Sequence, residues 1–293
     1  MKSRARYPEQ VRWLVAFLAA GLGAQGFELA VELTPEHLHN GETLKIAAHR
    51  AARKARLDGR TVELFSQEDG SRLGLMPIPV LEKPGIYRLE LLNENGTIVD
   101  SRPIRVENAH YPKQNIVISR KIASLKPSPG EQETVGAFRK TVSPVRYWRE
   151  PFEPPVSGCL TSLFGVRRLH NGRPTGDFHA GVDQRGAAGT PIHPTAAGVV
   201  KIVQKWNLRG GTVAVDHGQG VESIYLHMES FAAKEGDHVA TKDVLGYIGS
   251  TGRSTGPHVH WSLYVNGVPV NPGQWMKLEP CPAAPKQHTR KAK

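Results

Sequence analysis

The chain has 293 residues, 39% of them hydrophobic and 22% charged, which is the composition of an ordinary globular protein and excludes a low-complexity chain. Its length suits one large or two modest domains. The formal net charge of +11, from 38 Lys plus Arg against 27 Asp plus Glu, attracts polyanions in general.

The first stretch, MKSRARYPEQVRWLVAFLAAGLGAQG, places Lys2, Arg4, Arg6 and Arg12 around the start of an apolar run from Trp13 to Leu22, followed by Gly23 and Ala24. This is the pattern of a secretory signal peptide over 1–24, with a run too short to span a bilayer. The mature protein is therefore expected to be soluble and exported, in the periplasm or cell envelope. Export favours an anionic wall polymer or membrane surface over nucleic acid as the electrostatic partner. The basic tail also lacks the interleaved aromatics that stack on bases.

Residues 25–107 read as short strands: FELAVEL, ETLKIAAH, TVELFSQ, LGLMPIPV, GIYRLELLN and TIVDSRPIRVE. Ile86, Arg88 and Glu90 alternate with Tyr87, Leu89 and Leu91, a period-two signal, and Asn95-Gly96 marks a hairpin turn. The spacing predicts an immunoglobulin-like β-sandwich, a spacer or docking module without catalytic residues. Residues 108–156 read as a connector. In it NIVISRKI suits a strand, and Ser128, Pro129 and Glu131 predict a capping box opening a short helix through about Lys140. Pro151, Pro154 and Pro155 then mark a domain boundary. Residues 157–276 are rich in Gly and β-branched types, with strands expected at about 197–205, 211–216, 221–228, 244–248 and 258–265. The fold class is all-β. Residues 277–293 read as a basic, disordered tail. Cys159 and Cys281 bracket the C-terminal region, and a disulfide between them is left open, because sequence does not supply the geometry.

The chemistry concentrates in the C-terminal region. In TGRSTGPHVHWSLYVNG, His258 and His260 are two apart in an expected strand, so both face one spot. A second His-x-His, His37 and His39, has no evident partners and reads as surface. Upstream, His179 and Asp183 are four apart in GDFHAGVDQRG, where the glycines disfavour a helix and point to an extended segment or turn. His227 ends the strand SIYLHMES. A catalytic zinc takes three His or carboxylate ligands and keeps a position open for water, whose pKa it lowers from ~15.7 to ~7. Two histidines would then remain for the proton of the attacking water and for the oxyanion or leaving amine.

In this order, HAGVD (179–183), YLHM (225–228) and TGRSTGPHVHW (251–261) resemble the three signature motifs of the lysostaphin-type, or LytM-type, zinc peptidoglycan endopeptidases. The flanks LTSLFGVRR, GTPIHPTAAGVV and GYIGSTG agree, so the resemblance covers about residues 157–275. It implies a groove of antiparallel sheets with one Zn2+ per chain on its floor, bound by His179, Asp183 and His260. By position it makes His258 the catalytic base and His227 its transition-state partner. Gly252, Ser254, Thr255 and Gly256 are either a substrate-contacting loop or a plain turn. His217 is expected in a turn, His170, His193 and His238 in solvated loops, and Tyr225 and Trp261 in packing.

The expected function is a secreted zinc metalloendopeptidase that cuts peptide bonds in peptidoglycan stems or cross-links. The alternative is a wall-binding or regulatory module that binds metal but is inactive alone, because the connector covers the groove.

Overall fold

The computed structural model describes residues 31–282. The signal pattern over 1–24 and the tail from 283 onward lie outside the described residues. The all-β expectation holds: strands carry the fold, and the described helices are Arg120–Ala123, Glu131–Phe138 and the single 3-10 turn Pro272–Gln274.

The N-terminal strands form two sheets. One runs Glu32–Thr34, Thr43–Ala48, Arg72–Pro77, Phe65–Ser66; the other runs Leu38–His39, Ile98–Glu107, Gly85–Leu92, Lys54–Leu57, Arg60–Glu63. Both bury one side on a common core that includes Leu44, Ile46, Leu57, Met76, Leu89, Leu91 and Val106. Alternation explains the choice of face, since Leu89 and Leu91 are fully buried while Ile86 between Gly85 and Tyr87 is 68% exposed. The TVELFSQ run breaks at Leu64, so that its halves Arg60–Glu63 and Phe65–Ser66 join different sheets. At the Asn95-Gly96 turn only Gly96 is left-handed (φ 79°), and the Asn93 side chain accepts from the amides of Asn95 and Thr97.

The connector departs from expectation in three places. Only Lys113–Ile116 of the NIVISRKI region is a strand, and it pairs in parallel with Arg167–His170. Arg120–Ala123 is helical instead, with Ser119 Oγ accepting from the Ile122 amide. The longer helix starts at Glu131 behind a left-handed Gly130 (φ 75°), because the Ser128 hydroxyl is spent elsewhere, accepting from the Asn207 amide at 2.9 Å. Trp148, Phe152 and Val156 are buried in the same core as Val182, Val213, Tyr225 and Trp261, so this segment is packed.

The C-terminal region is built on a ten-stranded antiparallel sheet with the central order Val182–Arg185, His258–Val265, Val221–Phe231, Gly210–Gly218, Gly198–Trp206. One face carries the main core; the other is covered by helix Glu131–Phe138, whose Val135 and Phe138 pack on Ile202, Ala214, Ile224 and Tyr264. Cys159 and Cys281 form a disulfide with Cα atoms 4.8 Å apart. The start of the expected tail is therefore anchored: the Cys281 amide donates to Leu160 O and the Leu160 amide to Glu279 O.

Candidate metal centre and active site

Register brings the chemistry together. In the antiparallel pair Val182–Arg185 with His258–Val265, Asp183 lies directly opposite His260, so both side chains leave the same face. His179 reaches that face from the end of strand Arg173–Phe178, where its amide donates to Val166 O and its carbonyl accepts from Gly165. Gly181 lets the intervening turn press on the strand behind it, since a side chain there would meet Trp261 O.

The ligand atoms of His179, Asp183 and His260 lie within 4.8 Å of one another. His179 Nε2 is 3.1 Å from Asp183 Oδ1, His260 Nδ1 is 2.8 Å from the same oxygen, and the two nitrogens are 3.0 Å apart. The other nitrogen of His179, Nδ1, faces Leu163 O at 2.9 Å. A carbonyl only accepts, so Nδ1 carries the hydrogen and the Nε2 lone pair turns to the cluster. Burial pushes His260 down to about 4 despite Asp183, so the ring is neutral at pH 7, and with Nε2 against the Ser262 hydroxyl at 3.2 Å its Nδ1 is able to present a lone pair to a metal. Burial alone would raise Asp183, but the imidazoles of His179 and His260 against its Oδ1 hold it well below the usual carboxylate range. Two imidazole nitrogens and an ionised oxygen this close need positive charge between them. A borderline metal such as Zn2+ suits that mixed N and O donor set.

His258 and His227 flank the cluster with rings 4.9 Å apart. His258 Nδ1 is 2.8 Å from Gly256 O and its Nε2 is 3.8 Å from Asp183 Oδ1. His227 Nδ1 is 2.8 Å from Thr251 O. In both rings the carbonyl fixes the hydrogen on Nδ1 and frees Nε2. His227 is left-handed (φ 66°) where the pairing of Gly210–Gly218 with Val221–Phe231 shifts register, and this bulge re-aims its ring. Burial and then the neighbouring His258 and His260 push His227 down to about 3.

The model of Peptidase family M23 matches residues 177–272, which contain all five of these residues. A crystal structure from Pseudomonas aeruginosa assigned to peptidase M23 aligns at 30% sequence identity with a TM-score of 0.59, covering 76% of this chain and 86% of that one. The chain belongs to peptidase family M23. DD-carboxypeptidase/endopeptidase Mpg of Neisseria meningitidis serogroup B is 41% identical over 120 residues, 41% of this chain and 27% of that relative. Peptidoglycan DD-endopeptidase ShyA of Vibrio cholerae serotype O1 is 37% identical over 112 residues, 38% of this chain and 26% of that relative. The match thus spans about a quarter of the length of these curated relatives.

The M23 site has neighbours that the motifs did not announce. Arg168 donates to Asp183 Oδ2 at 2.9 Å, which orients the carboxylate. Ile116 and Ile118 of the connector line the pocket over the cluster, together with His170, Arg253, Ser254 and Thr255. His170 is thus in a strand beside the site, not in a solvated loop. Ser254 both lines the pocket and closes the turn, its hydroxyl donating to Gly256 O. His217, expected in a turn, is fully buried in strand Gly210–Gly218 between Ala197 O and Ser223 Oγ, and burial pushes it down to about 4. Tyr225 and Trp261 pack in the core as expected. Only the contact between strands Arg167–His170 and Val182–Arg185, which belong to different sheets, reveals Arg168, and no sequence spacing signals it.

Proposed function

We propose that this protein is a zinc endopeptidase of the bacterial cell envelope that hydrolyses peptide bonds in peptidoglycan. In this reading His179, Asp183 and His260 hold one Zn2+, and His258 and His227 serve the reacting groups. The observation that carries it is the convergence of two imidazole nitrogens and an Asp183 carboxylate oxygen in a chain of family M23. Peptidoglycan enters as substrate from the names of the relatives.

When bound, zinc supplies an acidified water and polarises the scissile carbonyl. His258 takes a proton at Nε2, which the hydrogen bond from Nδ1 to Gly256 O leaves free. The protonated ring then returns that proton to the leaving amine. His227, neutral and with its Nδ1–H held by Thr251 O, turns Nε2 toward the reacting groups beside His258. Arg168 keeps the second oxygen of Asp183 engaged. The N-terminal sheets serve as an immunoglobulin-like spacer, and the signal pattern and basic charge direct the protein to an anionic wall or membrane surface.

A second reading, a metal-competent but self-covered regulatory module, is favoured by one observation: Ile116 and Ile118 of the connector stand at the pocket. Mass spectrometry of fragments released from purified peptidoglycan separates the two. New stem peptides and loss of cross-linked fragments, both prevented by a zinc chelator, are expected and would identify the bond. Zinc-loaded protein that releases nothing would favour the covered module.

A further inference from the structure

The Ser128 and Glu131 pair, spaced as a capping box, does little for its own helix. Its only internal contact of that kind is Glu131 Oε2 accepting from the Ser128 amide at 2.9 Å. Both side chains reach instead to the turn between strands Gly198–Trp206 and Gly210–Gly218. Ser128 Oγ accepts from the Asn207 amide at 2.9 Å, Glu131 Oε2 from the Leu208 amide at 3.3 Å, and Glu131 Oε1 from the Arg209 amide at 3.0 Å. Three consecutive backbone donors are thus held by two connector side chains. The Arg209 guanidinium adds a 2.9 Å ion pair to Glu131 Oε1, and Glu131 is 0% exposed.

With its donors held on one side, the turn offers its carbonyls to the site on the other. Arg209 O accepts from the His227 amide at 3.0 Å, at the bulge where His227 is left-handed. Leu208 O accepts from the Arg253 amide at 2.8 Å, in the loop that also carries Thr251. Thr251 O receives the His227 Nδ1–H, and Thr251 Oγ1 accepts from Gly211 and donates to Met228 O. Gly210 and Gly252 bring the two loops together, since a side chain on Gly210 would meet Thr251 and one on Gly252 would meet the Gly210 amide. The backbone and the ring of His227 are therefore both fixed by segments that depend on this turn.

We propose that Ser128 and Glu131 are positioning residues: a bracket from the connector that sets the 207–209 turn and, through it, the orientation of His227. The inference rests on the role given to His227 above. It assigns to the connector a supporting function in the site, independent of the wall formed by Ile116 and Ile118. Glu131→Gln keeps the shape but turns an amide group toward backbone donors and removes the partner of Arg209.

The test uses the full chain and peptidoglycan digestion. Glu131→Gln is expected to lower kcat roughly ten- to a hundredfold, as for misplacement of a reacting group. KM should change less than about twofold, with zinc content unchanged, because no metal ligand touches the turn. In a His227→Ala background the same substitution should cost no more than about twofold. A merely structural role would give equal losses in both backgrounds; that result, or full kcat in Glu131→Gln, overturns the proposal. If Glu131→Gln does not fold, Ser128→Ala, which releases one amide of the turn, replaces it in the same cycle. If His227→Ala cuts at the full rate, the role given to His227 falls. The bracket is then judged by the 15N shifts of the His227 ring, which Glu131→Gln moves if the bracket orients it and leaves in place if it does not.

Discussion

Two His-x-His pairs occupy opposite ends of this chain and have opposite surroundings. His37 precedes and His39 ends a two-residue edge strand, and their rings face Glu42 and Glu107 at 3.3–3.9 Å, with the His37 side chain 82% exposed. His258 and His260 open a strand that is paired on both sides, with Asp183 opposite His260 and the His227 bulge on the other neighbour. Among the described residues, only the second pair contributes to a cluster of three potential metal ligands. The spacing of two residues fixes a shared face and nothing more. The register of the neighbouring strands and the loss of water turn a face into a site.

Substitutions sharpen this contrast in a graded way. His260→Ala should have the largest effect, lowering metal affinity more than about a hundredfold, beyond the loss typical of an outer partner, and abolishing cleavage. Metal analysis of the purified protein checks it, and a variant that retains zinc would break the assignment. His258→Ala should keep zinc and lose roughly 10²–10⁴ in kcat, the range for a general acid or base. A folded but metal-free His258→Ala protein would exchange the roles of the two residues. His39→Ala, the N-terminal control, should change stability by no more than about 0.5 kcal/mol and leave zinc and rate unchanged. Any loss of metal in that variant would mean that the exposed pair is also a site.

Most strands were legible in the sequence because they are runs rich in β-branched and other apolar residues. Those it concealed are polar: Lys54–Leu57 reads Lys-Ala-Arg-Leu, and the hairpin Arg167–His170 with Arg173–Phe178 carries Arg, Pro, Gly and Asp. Their pairing is decided by neighbours and not by local propensity. At the site, the residues gathered around Asp183 are those the three motifs marked. The supports were less visible, because Arg168 acts from a neighbouring sheet and Ser128 and Glu131 act on a turn almost eighty residues away. A motif that matched its local rule, the capping box, was used for a distant partner. His217 was misread for a related reason: Asp216-His217-Gly218 looks like a turn but completes a buried strand in which the ring is satisfied by Ala197 O and Ser223 Oγ.

The bond between Cys159 and Cys281, 122 residues apart, closes a covalent ring that contains His179, Asp183, His227, His258 and His260. Closing a ring of this size restricts the unfolded chain by an entropy worth on the order of 4–5 kcal/mol. It also changes what a single backbone cut can do. A nick in an exposed turn such as Asn171-Gly172 opens the ring into one linear but still connected molecule, so its two parts remain at high mutual concentration and can close again on the same site. Ser128 and Glu131 stand outside the ring, and a cut between them and Cys159 would release the bracket while leaving every residue it serves on one chain.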